Sequence, residues 1–164
     1  VTQLIARRIR AGNVHAVILP YSVSIETLKD PMLRGIILAG SPASVYAKGA
    51  PKCDRKIFEL AKPILGICYG FQLMADNFFG EVARGKKREY GEATIKIETS
   101  NQLFEGTPTH QTVWMSHGDT VKELPTGFEN AGFTGDCPNA AIFSEQKKCF
   151  AYSFTLKSRT QKME

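Results

Sequence analysis

The sequence predicts an α/β domain: a mainly parallel sheet wrapped by helices, continued by a β-rich C-terminal half. Three observations carry this. The apolar run Ile64-Leu65-Gly66-Ile67, bounded by Pro63, is too brief for a helix and reads as a buried parallel strand, and the apolar positions after Gly70 take up helical spacing. A second buried run, Gly35-Ile36-Ile37-Leu38, leads into a loop of small residues ending in Ser44-Val45-Tyr46. From Glu81 the texture changes to short strand-like runs separated by turn residues.

In chain order, residues 2–11 predict a helix with Leu4, Ile5 and Ile9 on one face and Arg7, Arg8 and Arg10 towards water. Strands are expected over 16–19 and 35–38, with a short helix between them capped by Ser24 and ending at Leu28. The loop 39–46 then lies at the carboxyl end of a strand, the edge where open α/β sheets bind ligands. Residues 54–61 predict the helix before the strand at 64–67, and 70–79 the helix after it, stopped by Gly80. Strands follow over 93–97, 112–115, 128–133, 140–144 and 147–154. No repeat, low-complexity segment or linker interrupts them, so 1–164 reads as a single domain.

A chain of 164 residues, 43% apolar and 23% charged, can bury one sizeable core and has an ordinary globular composition. The net charge of +5 is spread over many Lys and Arg, which argues against a nucleic-acid partner. Arg84, Lys86, Lys87 and Arg88 form a basic cluster, read as a solvated loop or a contact for an acidic partner surface. No apolar run approaches a membrane span, and the first ten residues do not make a secretory signal. Cys53, Cys68, Cys137 and Cys149 have neither disulfide-scaffold density nor zinc-site spacing, so a reducing cytoplasm and no metal are expected.

Cys68 sits at the strand-to-helix junction with Gly66 two before and Gly70 two after, giving G-x-C-x-G, the thiol form of a nucleophile elbow. The small residues let neighbouring backbone pass close to the turn. The following helix should point its partial positive end at the sulfur and lower the thiol pKa. A buried structural cysteine is the alternative; the paired glycines, with a strand before and a helix after, favour the nucleophile. His117 ends a strand in a polar turn, either hydrogen-bonding the backbone or taking part in a site. His15 and His110 read as surface residues.

With Cys68 and Ser116-His117-Gly118-Asp119 in view, the chain resembles the class I, or triad, glutamine amidotransferases, and within them the glutaminase domain of GMP synthetase. The likeness runs from Thr2 almost to Phe154 through T-Q-L-I-A-R-R, S-V-Y, G-I-C-Y-G-x-Q-L-M-A, R-E-Y-G, V-W-M-S-H-G-D and C-P-x-A-A. The resemblance implies a flavodoxin-like fold, with Cys68 attacking the side-chain amide of L-glutamine. It implies oxyanion donors at the backbone N–H groups of Tyr69 and Ser41, and glutamine α-groups held by Gln72, Ser116, Gly118 and Asp119. His117 would then be structural. It further implies release of ammonia to a separate ATP-pyrophosphatase or synthetase domain that aminates xanthosine monophosphate. ATP and Mg belong to that partner; this domain needs no cofactor of its own.

Three departures from the family pattern matter. The family's first strand, with its G-x-Q-Y segment, has no counterpart before Thr2, so an uncovered sheet edge is expected. The family's S-G-G-P reads Ala39-Gly40-Ser41-Pro42, placing a Cβ at the second oxyanion donor. The family's F-H-P-E reads Phe154-Thr155-Leu156-Lys157, so the general base and its orienting acid are missing and impaired hydrolysis is expected. With suitably chosen codons, the segment 154–164 read from its third nucleotide gives H-T-E-V-A-H-T-E-N-G, close to the family's H-P-E-V-x-H-T-x-x-G. A reading-frame slip near Phe154 is therefore expected, leaving residues 158–164 without native packing.

Overall fold

The computed structural model describes residues 2–98 and 101–156, with backbone alone for 86–89 and 156. The chain runs α1 (Thr2–Ala11), α2 (Ile25–Leu28), β1 (Ile36–Leu38), a 3-10 helix (Arg55–Glu59), β2 (Ile64–Ile67), α3 (Tyr69–Asn77), β3 (Glu81–Ile97), β4 (His110–Glu123), β5 (Glu129–Phe133), β6 (Ala141–Ser144), β7 (Cys149–Tyr152) and β8 (Phe154–Leu156). The strands form one sheet in the order β1-β2-β7-β6-β5-β3-β4-β8. It is mixed. β2 pairs in parallel with β1 and β7, while the other strand pairs are antiparallel.

β7 and β8 are one strand broken by a bend at Ser153. β7 lies between β2 and β6, whereas β8 pairs with β4. The series β7-β6-β5-β3-β4-β8 therefore returns to the chain from which it set out and wraps a small barrel-like core containing Ile95, Val113, Met115, Phe143 and Phe154. A second core, with Ile64, Phe71, Met74, Val121 and Phe128, packs α3 against the opposite face. β6 is buried along its whole length because it serves both: Ile142 faces the second core, Ala141 and Phe143 the first.

Several elements differ from expectation. Residues 16–19 are not a strand; β1 stands at the sheet edge and 14–20 does not pair with it, leaving Val17 65% exposed. The Arg10 guanidinium instead donates to the Ala16 carbonyl at 3.0 and 2.6 Å. α1 forms as expected, but its apolar stripe is only partly covered: Leu4 is 62% exposed, Ile5 and Ile9 are half-buried, and only Ala6 is buried. The helix expected over 54–61 is a short 3-10 helix capped by Asp54, cut off where Ala61 turns to φ +53 and Pro63 disfavours helical backbone just before it. β3 and β4 run far beyond the expected strands because their polar, exposed faces hid the alternation. The strand expected over 147–154 splits at Ser153, where the chain changes partners.

α3 ends in a Schellman motif, with Phe79 in the left-handed region at φ +64, Phe79 N–H on the Asp76 carbonyl at 3.4 Å and Gly80 N–H on the Ala75 carbonyl at 2.9 Å. Arg84 lies exposed in β3, while the side chains of Lys86, Lys87 and Arg88, and the whole of 157–164 with the frame-slip expectation, fall outside the described residues. Among the described residues no helix is long and apolar enough to cross a membrane.

Candidate active site

β2 ends at Ile67 and α3 begins at Tyr69, so the chain reverses character over one residue. Cys68 makes that turn at φ +53, ψ −107, a conformation a non-glycine residue adopts only when its surroundings enforce it. The enforcement is visible. A Cβ on Gly70 would fall on the Leu38 carbonyl of β1, and one on Gly66 would lie 2.7 Å from the Gly70 oxygen, so both glycines are required by close backbone approach. Cys68 N–H donates to the Tyr152 carbonyl at 2.9 Å, and its own carbonyl accepts from Gln72 N–H at 3.1 Å.

The thiol donates towards two carbonyl oxygens at the break in the barrel strand, Ser153 at 3.6 Å and Phe154 at 4.0 Å. Burial pushes its pKa up to about 11. The expectation of a lowered pKa is thus overturned: desolvation outweighs the field of the α3 N-terminus, and carbonyl acceptors favour S–H over S⁻. The loop after β1 lies against this residue, since a Cβ on Gly40 would sit 3.6 Å from the Cys68 Cβ. Ser41, next in that loop, is not among the residues with left-handed backbone, so its Cβ brings no strain of that kind; its hydroxyl accepts from Ala43 N–H at 3.2 Å. Tyr69 opens α3, where main-chain N–H groups have no acceptor within the helix. Its ring is buried and its hydroxyl donates to the Pro51 carbonyl at 2.7 Å.

Gln72 follows one turn into α3 and is 8% exposed. Its amide nitrogen donates to the Asp119 carbonyl at 3.4 Å, and its Oε1 is buried with no hydrogen-bond partner. The Asp119 carboxylate accepts from the Tyr46 hydroxyl at 2.7 Å, which raises the Tyr46 pKa. Ser116 lies one residue beyond the Met115–Phe154 pair of β4 and β8, on the exposed face. Gly118 stands opposite a break in register, where residues 85–88 of β3 protrude between the pairs Arg84–Asp119 and Glu89–His117. His117 points inward, buried; desolvation lowers its pKa despite a bond to the Asp119 backbone.

The structure therefore brings Cys68, Gln72, Asp119 and the loop 40–46 together, with Ser116 and Gly118 on the adjoining strand. Sequence reasoning did not single out Tyr46, which closes the S-V-Y run of the loop after β1 and reaches Asp119. The Thr155 hydroxyl donates to the Trp114 carbonyl at 3.3 Å. A shallow cleft lined by Lys52, Cys53, Leu73 and Asp76 lies further along α3 and is not bordered by Cys68.

Residues 1–154 match the family model for class-I glutamine amidotransferases. Over 153 residues the chain is 50% identical to a protein of Campylobacter lari named GMP synthase (glutamine-hydrolyzing), covering 93% of this chain and 30% of that protein. A protein of the same name from Acetivibrio thermocellus is 49% identical over 152 residues, again 93% and 30%. The chain thus spans about 30% of the length of these curated relatives. The crystal structure of a Thermoplasma acidophilum protein, described as one subunit of a GMP synthase, superposes with a TM-score of 0.77 at 28% identity, covering 93% of this chain and 77% of that one. A glutamine amidotransferase of Thermotoga maritima, 21% identical, shares the fold with a TM-score of 0.72 over 92% and 68% of the two chains. The strained cysteine between two obligatory glycines and the match across nearly the whole chain lead to one assignment: the protein belongs to the class-I glutamine amidotransferase family, with its flavodoxin-like fold.

Proposed function

We propose that this chain is the glutaminase part of a GMP synthase, binding L-glutamine at Cys68 and passing ammonia to an ATP-using synthetase domain or subunit that aminates xanthosine monophosphate. ATP and Mg act in that partner, and a cytoplasmic setting fits the free thiols of Cys53, Cys68 and Cys149. The observation that carries the reading is the elbow cysteine one helical turn from an unpaired, buried Gln72 acceptor. In the reaction, Cys68 Sγ attacks the side-chain carbonyl carbon of glutamine. The resulting oxyanion meets the N–H groups of Tyr69 and Ser41, donors each commonly worth a few kcal/mol. Collapse breaks the C–N bond, the thiol's proton leaving on the nitrogen as ammonia, and leaves a glutamyl thioester, which water cleaves to glutamate and the free thiol.

Proton traffic is the weak step. Thr155 and Lys157 stand where the family has its base and orienting acid, and loss of general acid–base catalysis costs about 10²–10⁴ in rate. A second reading is favoured by the protonated thiol: a non-catalytic glutamine-binding or regulatory subunit of the synthetase. The test is labelling of Cys68 by a glutamine-shaped diazo-ketone, beside an unrelated alkylating agent and a Cys68→Ala control, with ammonia release from glutamine measured in parallel. Selective labelling with little ammonia is expected. Equal, slow labelling by both reagents would overturn the glutamine site; ammonia release lost in Cys68→Ala would dismiss the non-catalytic reading.

A further inference from the structure

The loop after β1 does more than flank the sulfur. It begins at Gly40, against Cys68, and reaches Tyr46, whose hydroxyl crosses to a strand 73 residues further on to bind Asp119 Oδ1 at 2.7 Å. Among the described residues no cation pairs with the Asp119 carboxylate. The Asp119 backbone is held too, by the Gln72 amide nitrogen, which leaves the buried Gln72 Oε1 as an acceptor in want of a donor. A carboxylate and an orphan amide oxygen on neighbouring residues call for a group that is positively charged and rich in N–H bonds. An ammonium group meets both demands.

We propose that Tyr46 is a positioning residue that fixes the Asp119 carboxylate for the substrate's α-ammonium group, and so sets the discrimination between glutamine and amides lacking that group. This rests on the glutamine reading above. With Oδ1 occupied by the phenol, the carboxylate cannot rotate freely and presents Oδ2 to the ligand. Tyr46 is 55% exposed, so removing its hydroxyl leaves the packing of the fold in place.

The test uses the 164-residue chain and Tyr46→Phe, reading the concentration of ligand that halves the rate of Cys68 alkylation. Two ligands are compared: L-glutamine and 4-carbamoylbutanoate, which is glutamine without its amino group. Tyr46→Phe is expected to weaken protection by glutamine about fivefold or more, because an acceptor for a charged donor loses its alignment, and to leave protection by 4-carbamoylbutanoate unchanged. An equal loss for both ligands, or no loss for glutamine, would overturn the positioning role while the glutamine site stands. If the unaltered chain is protected by neither ligand and escapes the diazo-ketone, the glutamine reading itself fails and takes this inference with it.

Discussion

One proton on Cys68 is pulled two ways. The N-terminus of α3 favours its departure, while burial and the carbonyls of Ser153 and Phe154 favour its retention, and retention wins, with a pKa raised from 9.0 to about 11. Alkylation of Cys68 by a neutral reagent is therefore expected to climb about tenfold per pH unit from 7 to 10 without levelling, where an ordinary thiol would begin to plateau near 8.5. A plateau below pH 9 would show a thiolate already stabilised. The same shift acts on stability. The unfolded chain loses the thiol proton from about pH 9 and the folded one only near 11, so this group's contribution is full below pH 9 and falls away between the two values. At this scale the sequence was informative where the chemistry is local. G-x-C-x-G disclosed Cys68 because the steric need lies within five residues, whereas Tyr46 stayed hidden because its partner, Asp119, is fixed only by tertiary contact.

Among the elements, α3 ends in a way that can be improved. Gly80 reads as the stop signal, but the residue that takes the left-handed conformation is Phe79, at φ +64 and 85% exposed. Phe79→Gly is expected to stabilise the fold by about 1 kcal/mol, since glycine adopts that backbone without a Cβ penalty and no packing is lost. Thermal unfolding should then shift upward by about 2–4 °C; an unchanged or lower midpoint would mean the ring has a contact in solution. Element boundaries were least legible where pairing decides them. Residues 16–19 carry strand propensity but find no neighbour, and 147–154 reads as one apolar run although the two halves join different strands. The amphipathic stripe of α1 is plain in the sequence; whether anything covers Leu4 is a matter of packing, which periodicity does not report.

Across the whole molecule, the parallel strands around the elbow and the antiparallel barrel meet at Ser153, and Cys68 lies at that meeting point. Residue 155 follows directly on the Phe154 carbonyl, itself 4.0 Å from the sulfur. If the glutaminase reading holds, Thr155→His combined with Lys157→Glu, which supplies the base and acid that the resemblance assigns to these positions, is expected to raise ammonia release from glutamine by about 10² or more. No gain in release, with diazo-ketone labelling intact, would place the fault in the backbone of this segment instead of its side chains. The closing of the barrel was not readable from composition or spacing, because it depends on β8 returning to β4 across a long separation in the chain.

That return also has a mechanical side. Among the described residues three pairs, Val113–Leu156, Trp114–Thr155 and Met115–Phe154, fasten β8 to its neighbour, and the two oxygens that face the sulfur sit at the near end of that fastening. Tension applied beyond Leu156 would peel those rungs in turn and slide the oxygens away from Cys68. The surroundings of the Cys68 sulfur are thus moored by the same short seam that shuts the barrel.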